Sequence, residues 1–144
     1  MEKLIIYSDG GARGNPGPAG VGAVLMGEDG KVLEEVSEYI GEQTNNFAEY
    51  EALIRALKAA KKMFGAKLRD MQIEARLDSE LVVRQLSGLY KVKEPTLKLK
   101  FAEVAQLRLE DAPNMIFTHV MRGKNAHADE LVNKAIDTYF AKAS

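Results

Sequence analysis

The chain has 144 residues, of which 46% are apolar and 28% charged, and its net charge is −1 at pH 7. This size predicts one domain over residues 1–144. The near-neutral charge argues mildly against a protein that wraps nucleic acid. The absence of cysteine excludes disulfides, thiolate nucleophiles and the usual structural zinc sites. Because the sequence has no apolar run of about 18 residues and no signal-peptide pattern, we expect a cytoplasmic protein without a membrane partner. We also expect a monomer.

The N-terminal third of the chain predicts three strands. Residues 4–7 form a short apolar run typical of a strand buried on both faces, and the glycines after it let the backbone leave sharply. Residues 19–27 alternate between two faces, and Asp29-Gly30 is a strong hairpin signal before residues 32–40. We expect these strands to form an antiparallel meander.

From residue 45 onwards, helices and strands alternate. Apolar residues recur at helical spacing from Asn45 until Gly65, which predicts a long amphipathic helix. The remaining predicted elements are a strand over 72–77, a short helix from Asp78-Ser79 to near Gly88, a helix from Pro95 to Asp111, a strand over 115–120 and a final helix after Asn125. This order predicts an α/β fold, in which one mixed sheet is covered by helices on both faces.

Four acidic residues lie at strand ends or on core-facing helix positions, where a charged side chain is unusual. Asp9 and Asp78 each end a predicted strand, while Glu49 lies on the core-facing stripe of the long helix, four residues before Leu53. Asp129 lies in the first turn of the last helix, on its apolar side. A buried carboxylate is costly unless something pairs with it. Four convergent carboxylates would bind hard metal ions, and oxygen-only ligands favour Mg²⁺ or Mn²⁺.

Each acid also has a purely structural interpretation. Asp9 could initiate a turn, and Asp78 could cap the following helix, although Ser79 could do so instead. Asp129 could merely complement the dipole of its helix. These interpretations are unrelated to one another, whereas a single metal site explains all four acids.

The glycine-rich stretch over residues 10–17 invites comparison with a phosphate-binding loop. We reject that interpretation because Pro16 and Pro18 lead into a strand, whereas phosphate-loop motifs require a following helix. The stretch is better interpreted as a hairpin loop, whose amides and Asn15 could contact a nucleic-acid backbone.

Five short motifs occur in a fixed order along nearly the whole chain. They are Tyr7-Ser8-Asp9-Gly10-Gly11, Gly14-Asn15-Pro16-Gly17, Thr44-Asn45-Asn46-Phe47-Ala48-Glu49, Leu77-Asp78-Ser79 and Ala128-Asp129-Glu130-Leu131. In this order, with the four acids on matching elements, the chain resembles the type 1 ribonuclease H family. The resemblance implies a ribonuclease H-like fold with a five-stranded mixed sheet, a meander plus parallel strands.

The resemblance also implies a function. The four acids would bind two Mg²⁺ or Mn²⁺ ions, and the reaction would be hydrolysis of the RNA strand of an RNA/DNA hybrid, leaving 3′-hydroxyl and 5′-phosphate ends. Asn15, Asn45 and Asn46 match positions that contact the hybrid backbone and minor groove, and Arg122 is a further substrate-binding candidate. A turn or helix-cap role fits Asn45 nearly as well.

Two departures from the family pattern stand out. Many members carry a basic helix and loop that grip the substrate, but here that region shrinks to residues 89–95. We therefore expect weak hybrid binding, carried by lysines at 91, 93, 98 and 100 if these face the substrate. Many members also have a catalytic His early in the loop before the last acid. Here residues 120–127 lack it, and His127 is expected to point away from Asp129, because side chains two apart on a helix do not share a face. We expect residues 122–127 to be mobile, so that His127 could swing toward the leaving group, with Lys124 or Arg122 as cationic substitutes. His119 is expected to be structural.

Two rival functions belong to other classes. A catalytically silent hybrid-binding module would gain nothing from four clustered carboxylates. A metal-dependent phosphatase for small substrates is disfavoured because the sequence has no visible base pocket or phosphate clamp.

Overall fold

The computed structural model describes residues 2–143 and contains one five-stranded sheet. The strands are β1 (Lys3–Ala12), β2 (Gly17–Gly27), β3 (Val32–Gln43), β4 (Gln72–Leu77) and β5 (Met115–His119), in the spatial order β3-β2-β1-β4-β5. Strands β1 to β3 pair antiparallel, while β4 lies parallel to both β1 and β5. The predicted meander and mixed sheet are therefore confirmed.

The described residues form four α-helices, three between strands and one after the last strand. They are α1 (Asn45–Phe64), α2 (Glu80–Leu86), α3 (Pro95–Asp111) and α4 (Ala126–Ala143). The first three begin at side-chain caps supplied by Thr44, Ser79 and Glu94, each of which accepts a hydrogen bond from a backbone N–H of the first turn. Within residues 2–143, no helix is long and apolar enough to cross a bilayer.

The helices cover both faces of the sheet, as predicted. Helices α1, α2 and α3 share a core with one face, whereas α4 packs mainly on the other face of β2 and β3. Because α4 leaves the start of β1 uncovered, Leu4 and Ile6 are fully buried but Ile5 and Tyr7 are only half-buried. The prediction that β1 is buried on both faces was wrong for this reason.

Two short 3₁₀ turns were not predicted, Gly65–Asp70 after α1 and Arg122–Asn125 before α4. Both are too short to show a hydrophobic period. The second turn replaces most of the loop expected to be mobile, and His127 lies inside α4.

Candidate active site

Three of the predicted acids meet at one edge of the sheet. Asp9 lies near the end of β1, and Asp78 directly follows the neighbouring parallel strand β4. Glu49 reaches them from the first turns of α1. One carboxylate oxygen from each residue lies within 4.8 Å of the others. This convergence is the arrangement that the strand ends and the helical stripe predicted.

The approach of α1 to the sheet depends on Gly10. A Cβ atom on Gly10 would lie 2.1 Å from the carbonyl oxygen of Ala48, so no larger residue fits without moving α1. Glu49 follows Ala48 directly and is thereby held beside Asp9. The strand continues to Ala12, so the prediction that the backbone leaves sharply at these glycines was wrong.

Gly22 plays the same part for α4 on the other face. It lies opposite Asp9 in the β1–β2 ladder, and a Cβ atom there would lie 2.3 Å from the carbonyl oxygen of Ala128. The close packing brings Asp129 to the edge of the same cleft. Asp129 is exposed and lies outside the group of three, but its charge and a hydrogen bond raise the pKa of Asp9.

The electrostatics of the acids suit a divalent cation. Burial is the largest cause that raises the pKa of Asp9 to about 7; the charges of Asp78 and Asp129 add to it, while a hydrogen bond with Glu49 opposes it. Burial, followed by the charge of Asp9, raises the pKa of Glu49 well above its ordinary value. Glu49 Oε2 is buried without a hydrogen-bond partner among residues 2–143. An unpaired carboxylate oxygen beside two further acids fits a hard metal ion.

Asp78 is free for such a role because Ser79 caps α2, with its Oγ 3.2 Å from the Val82 nitrogen. Asn125, a neighbour of Asp78, was not predicted from the sequence to belong to the site. Asn125 is 1% exposed, and its Nδ2 donates to the Ser8 carbonyl at 2.9 Å and to Asp78 Oδ2 at 3.3 Å. The available signal was an asparagine at the end of a short connection that it shares with Arg122.

Glu49, Asp78 and Asp129 line a cleft of about 460 Å³ together with most of the predicted substrate-binding residues, while Asp9 lies beside Glu49 and Asp78 and does not line it. Asn45, Asn46 and Arg122 line it, whereas Asn15 does not. Arg122 and Asn45 are exposed, and Asn46 is half-buried.

Asn15 and Asn45 hold the hairpin loop against α1. Asn15 Oδ1 accepts from the Asn45 nitrogen at 3.0 Å, and Asn45 Oδ1 accepts from the Ala12 nitrogen at 2.9 Å. Thr44, rather than Asn45, caps α1. The two side-chain oxygens therefore have structural roles. Neither Nδ2 group finds a partner within the described part of the chain, which leaves both as donors at the surface.

His127 points away from the acids, as predicted. Its Nε2 lies 2.5 Å from Glu35 Oε2 on the edge strand β3. His119 ends β5 and is exposed.

The shortened region after α2 contains no helix. Residues 87–94 form a loop in which Val92 packs against the core, and Lys91 and Lys93 are exposed. Lys100, in contrast, donates to Glu51 Oε1 at 2.8 Å and lies over the ring of Phe47. Lys100 therefore joins α3 to α1, so the condition that the four lysines face the substrate is not met by this residue.

Comparisons with known proteins agree with this architecture. The family model described as "Reverse transcriptase-like" matches residues 7–135. The chain is 46% identical over 131 residues to "Ribonuclease HI" of Halobacterium salinarum, an alignment that covers 91% of this chain but only 63% of that relative. It is 35% identical over 146 residues to "Ribonuclease H" of Cupriavidus metallidurans, covering 94% of this chain and 97% of the relative.

Solved structures lead to the same family. LC11-RNase H1, isolated from compost by a metagenomic approach, has a TM-score of 0.92 and 64% identity, covering 97% of this chain and 99% of that one. Its crystal structure in complex with an RNA/DNA hybrid matches with a TM-score of 0.92 and 63% identity, covering 95% and 99% of the two chains. With the fold, the acid cluster and these relatives in agreement, this chain belongs to the ribonuclease H family.

Proposed function

We propose that this protein is a metal-dependent endonuclease that hydrolyses the RNA strand of RNA/DNA hybrids and leaves 3′-hydroxyl and 5′-phosphate ends. The observation that carries the proposal is the convergence of Asp9, Glu49 and Asp78 within 4.8 Å, with Asp129 lining the same cleft. The hybrid bound by LC11-RNase H1, at 63% identity, supports the choice of substrate. One ribonuclease H domain over residues 1–144 is part of this proposal.

The four acids would hold two divalent ions, Mg²⁺ or Mn²⁺. Such ions, when bound, lower the pKa of water to yield a nucleophile and stabilise the leaving oxygen. No covalent protein nucleophile is needed. Asp9 and Glu49 would lose their protons when cations bind, because the raised pKa of each reflects burial and neighbouring negative charge that a cation offsets.

Side-chain amides in and near the cleft, together with the Arg122 guanidinium, would hold the hybrid. The Nδ2 groups of Asn15, Asn45 and Asn46 can donate to phosphate or to 2′-hydroxyl oxygens, and the 2′-hydroxyl distinguishes RNA from DNA. The exposed guanidinium of Arg122 can pair with a backbone phosphate beside the acids.

One assay separates this function from its rivals. Labelled RNA/DNA hybrid, duplex RNA and a phosphomonoester are each incubated with the protein and Mg²⁺ or Mn²⁺. Cleavage of the hybrid inside its RNA strand supports the proposal. Hybrid binding without cleavage would instead identify a silent binding module, and turnover of the phosphomonoester alone a phosphatase.

Acid variants test the ligand assignment. We expect Asp9→Asn, Glu49→Gln and Asp78→Asn each to lower hybrid cleavage more than about 100-fold with the fold intact, since loss of even an outer-shell partner typically costs 10–100-fold. The matched control is Asp70→Asn, an exposed acid before the other end of β4, which should cleave like the wild type. Near wild-type activity of an acid variant at saturating Mg²⁺ would show that the residue is not a ligand.

A further inference from the structure

Asn125 is a buried amide whose hydrogen bonds join three separate parts of the site. It ends the 3₁₀ turn before α4, while its Nδ2 contacts the backbone of β1 at Ser8 and the carboxylate of Asp78 after β4. The partners lie 117 and 47 residues away in sequence. The contact therefore sets the relative position of elements that the chain does not connect locally.

Stability alone does not explain why an asparagine occupies position 125. Its Oδ1 is buried without a hydrogen-bond partner among residues 2–143, and a buried polar atom left unpaired costs free energy. An apolar residue of similar size would avoid that cost but would leave Asp78 Oδ2 without this donor. What Asn125 contributes is thus a donor aimed at one carboxylate of the cleft.

A neutral donor has a chemical advantage at this position. A Lys or Arg beside Asp78 would also orient the carboxylate, but its positive charge would compete with a cation for the same oxygens. The Asn125 amide orients the Asp78 carboxylate without neutralising its negative charge. The same turn carries Arg122 three residues earlier, so anchoring Asn125 also anchors the backbone that carries Arg122.

We propose that Asn125 is a positioning residue, whose side-chain amide holds the Asp78 carboxylate in the orientation that converges on Asp9 and Glu49. The inference rests on the proposed metal-dependent function. It assigns Asn125 no contact with substrate or with the reacting atoms.

The test uses Asn125→Ala and Asn125→Leu; leucine is apolar and of similar size, so it removes the donor without adding a charge beside Asp78. The matched control is Asn114→Ala, because Asn114 Nδ2 also donates to a distant backbone carbonyl, that of Arg69 at 3.1 Å, but away from the cleft. Four quantities are measured: Mn²⁺ affinity without hybrid by calorimetry, kcat and KM for the hybrid, and Tm without metal.

We expect both Asn125 variants to bind Mn²⁺ about 10–100-fold more weakly and to lose kcat by a similar factor, with KM changed by less than about twofold. Asn114→Ala should change Tm without changing Mn²⁺ affinity. A lower Tm of the Asn125 variants with wild-type Mn²⁺ affinity and kcat would overturn the proposal and leave Asn125 a structural residue.

Two further outcomes concern variants that do not fold and a wild type that does not cleave the hybrid. If neither variant folds, ¹⁵N NMR of the wild type decides: the Asn125 side-chain amide should shift with Mg²⁺ while that of Asn114 does not, and an unmoved Asn125 signal overturns the role. If the wild type fails to cleave hybrid but Asn125→Ala weakens Mn²⁺ binding, the proposed function fails and the positioning role stands.

Discussion

The buried carboxylate of Asp9 has opposite effects on the stability of the fold and on the binding of a cation. Asp9 is 7% exposed, and its carboxyl in the folded protein has a pKa of about 7 rather than the ordinary 3.8. The folded state therefore binds a proton that the unfolded state has released, over the range between these two values. The unfolding free energy contributed by Asp9 must fall as pH rises through that range. The negative charge that disfavours folding is the same charge that attracts a cation.

A stability measurement tests this reasoning. In EDTA, Asp9→Asn should raise the free energy of unfolding by on the order of 1–3 kcal/mol at about pH 8, and by much less at about pH 4, where the wild-type carboxyl stays protonated. Urea unfolding at both pH values measures the difference. The control is Asp70→Asn, at an exposed acid. Equal gains at both pH values would contradict the raised pKa.

His127 and Arg122 can be compared as the cationic group that assists the leaving oxygen. Because His127 pairs with Glu35 on β3, we expect His127→Ala to lower kcat less than about tenfold, below the 10²–10⁴-fold typical of general acid–base catalysis. Arg122→Ala should cost more, since Arg122 lines the cleft. Measuring kcat against pH compares them. A loss of about 100-fold in His127→Ala, with removal of a limb near pH 6.5, would contradict this prediction.

At the scale of elements, glycines decide how closely α1 and α4 approach the sheet. Gly10 faces the backbone of α1, and Gly22 faces the backbone of α4. Backbone atoms cannot turn aside as a flexible side chain can, so a methyl group at either position must displace a helix. Because these helices carry Glu49 and Asp129, the packing of two glycines controls the geometry of the acid site.

Gly22→Ala should therefore destabilise the fold by at least about 1–3 kcal/mol, the usual cost of overpacking. The matched control is Gly11→Ala, which faces the same helix but whose Cβ would meet Val132 Cγ1 at an ordinary 3.8 Å. We expect that change to stay within about 0.5 kcal/mol. Urea unfolding of both variants provides the measurement. Similar stabilities of the two variants would show that α4 is free to move.

At the scale of the whole molecule, charge limits how the hybrid can be held. The net charge is −1, and the loop over residues 87–94 offers no basic helix. Lys100 is engaged with Glu51. Of the four lysines proposed to contact phosphates, only those at 91, 93 and 98 are exposed, and hybrid affinity is expected to be low.

The salt dependence of hybrid binding tests which lysines contribute. Replacing Lys91, Lys93 and Lys98 by Ala should lower the slope of log affinity against log salt by about one for each residue that contacts a phosphate. Lys100→Ala serves as the control, because it should reduce stability and leave the slope unchanged. An unchanged slope in the triple variant would place the binding surface elsewhere.

The sequence by itself determined the elements and was enough to single out four acids as candidate ligands. Strand runs, helical spacing and caps are local patterns, so β1 to β5, α1 to α4 and the positions of Asp9, Glu49, Asp78 and Asp129 could be read from neighbouring residues. The convergence of strand ends was also predictable, because adjacent parallel strands end at the same edge of a sheet.

Tertiary structure alone decided the contacts between distant residues. Nothing near Asn125 in sequence reveals that its amide meets Ser8 and Asp78, nor does the α3 pattern reveal that Lys100 faces Glu51. The separation of exposed Asp129 from the group formed by Asp9, Glu49 and Asp78 likewise depends on how closely α4 packs at Gly22. Local propensity sets what each segment becomes, whereas these pairings follow from the packing of whole elements, which no single segment encodes.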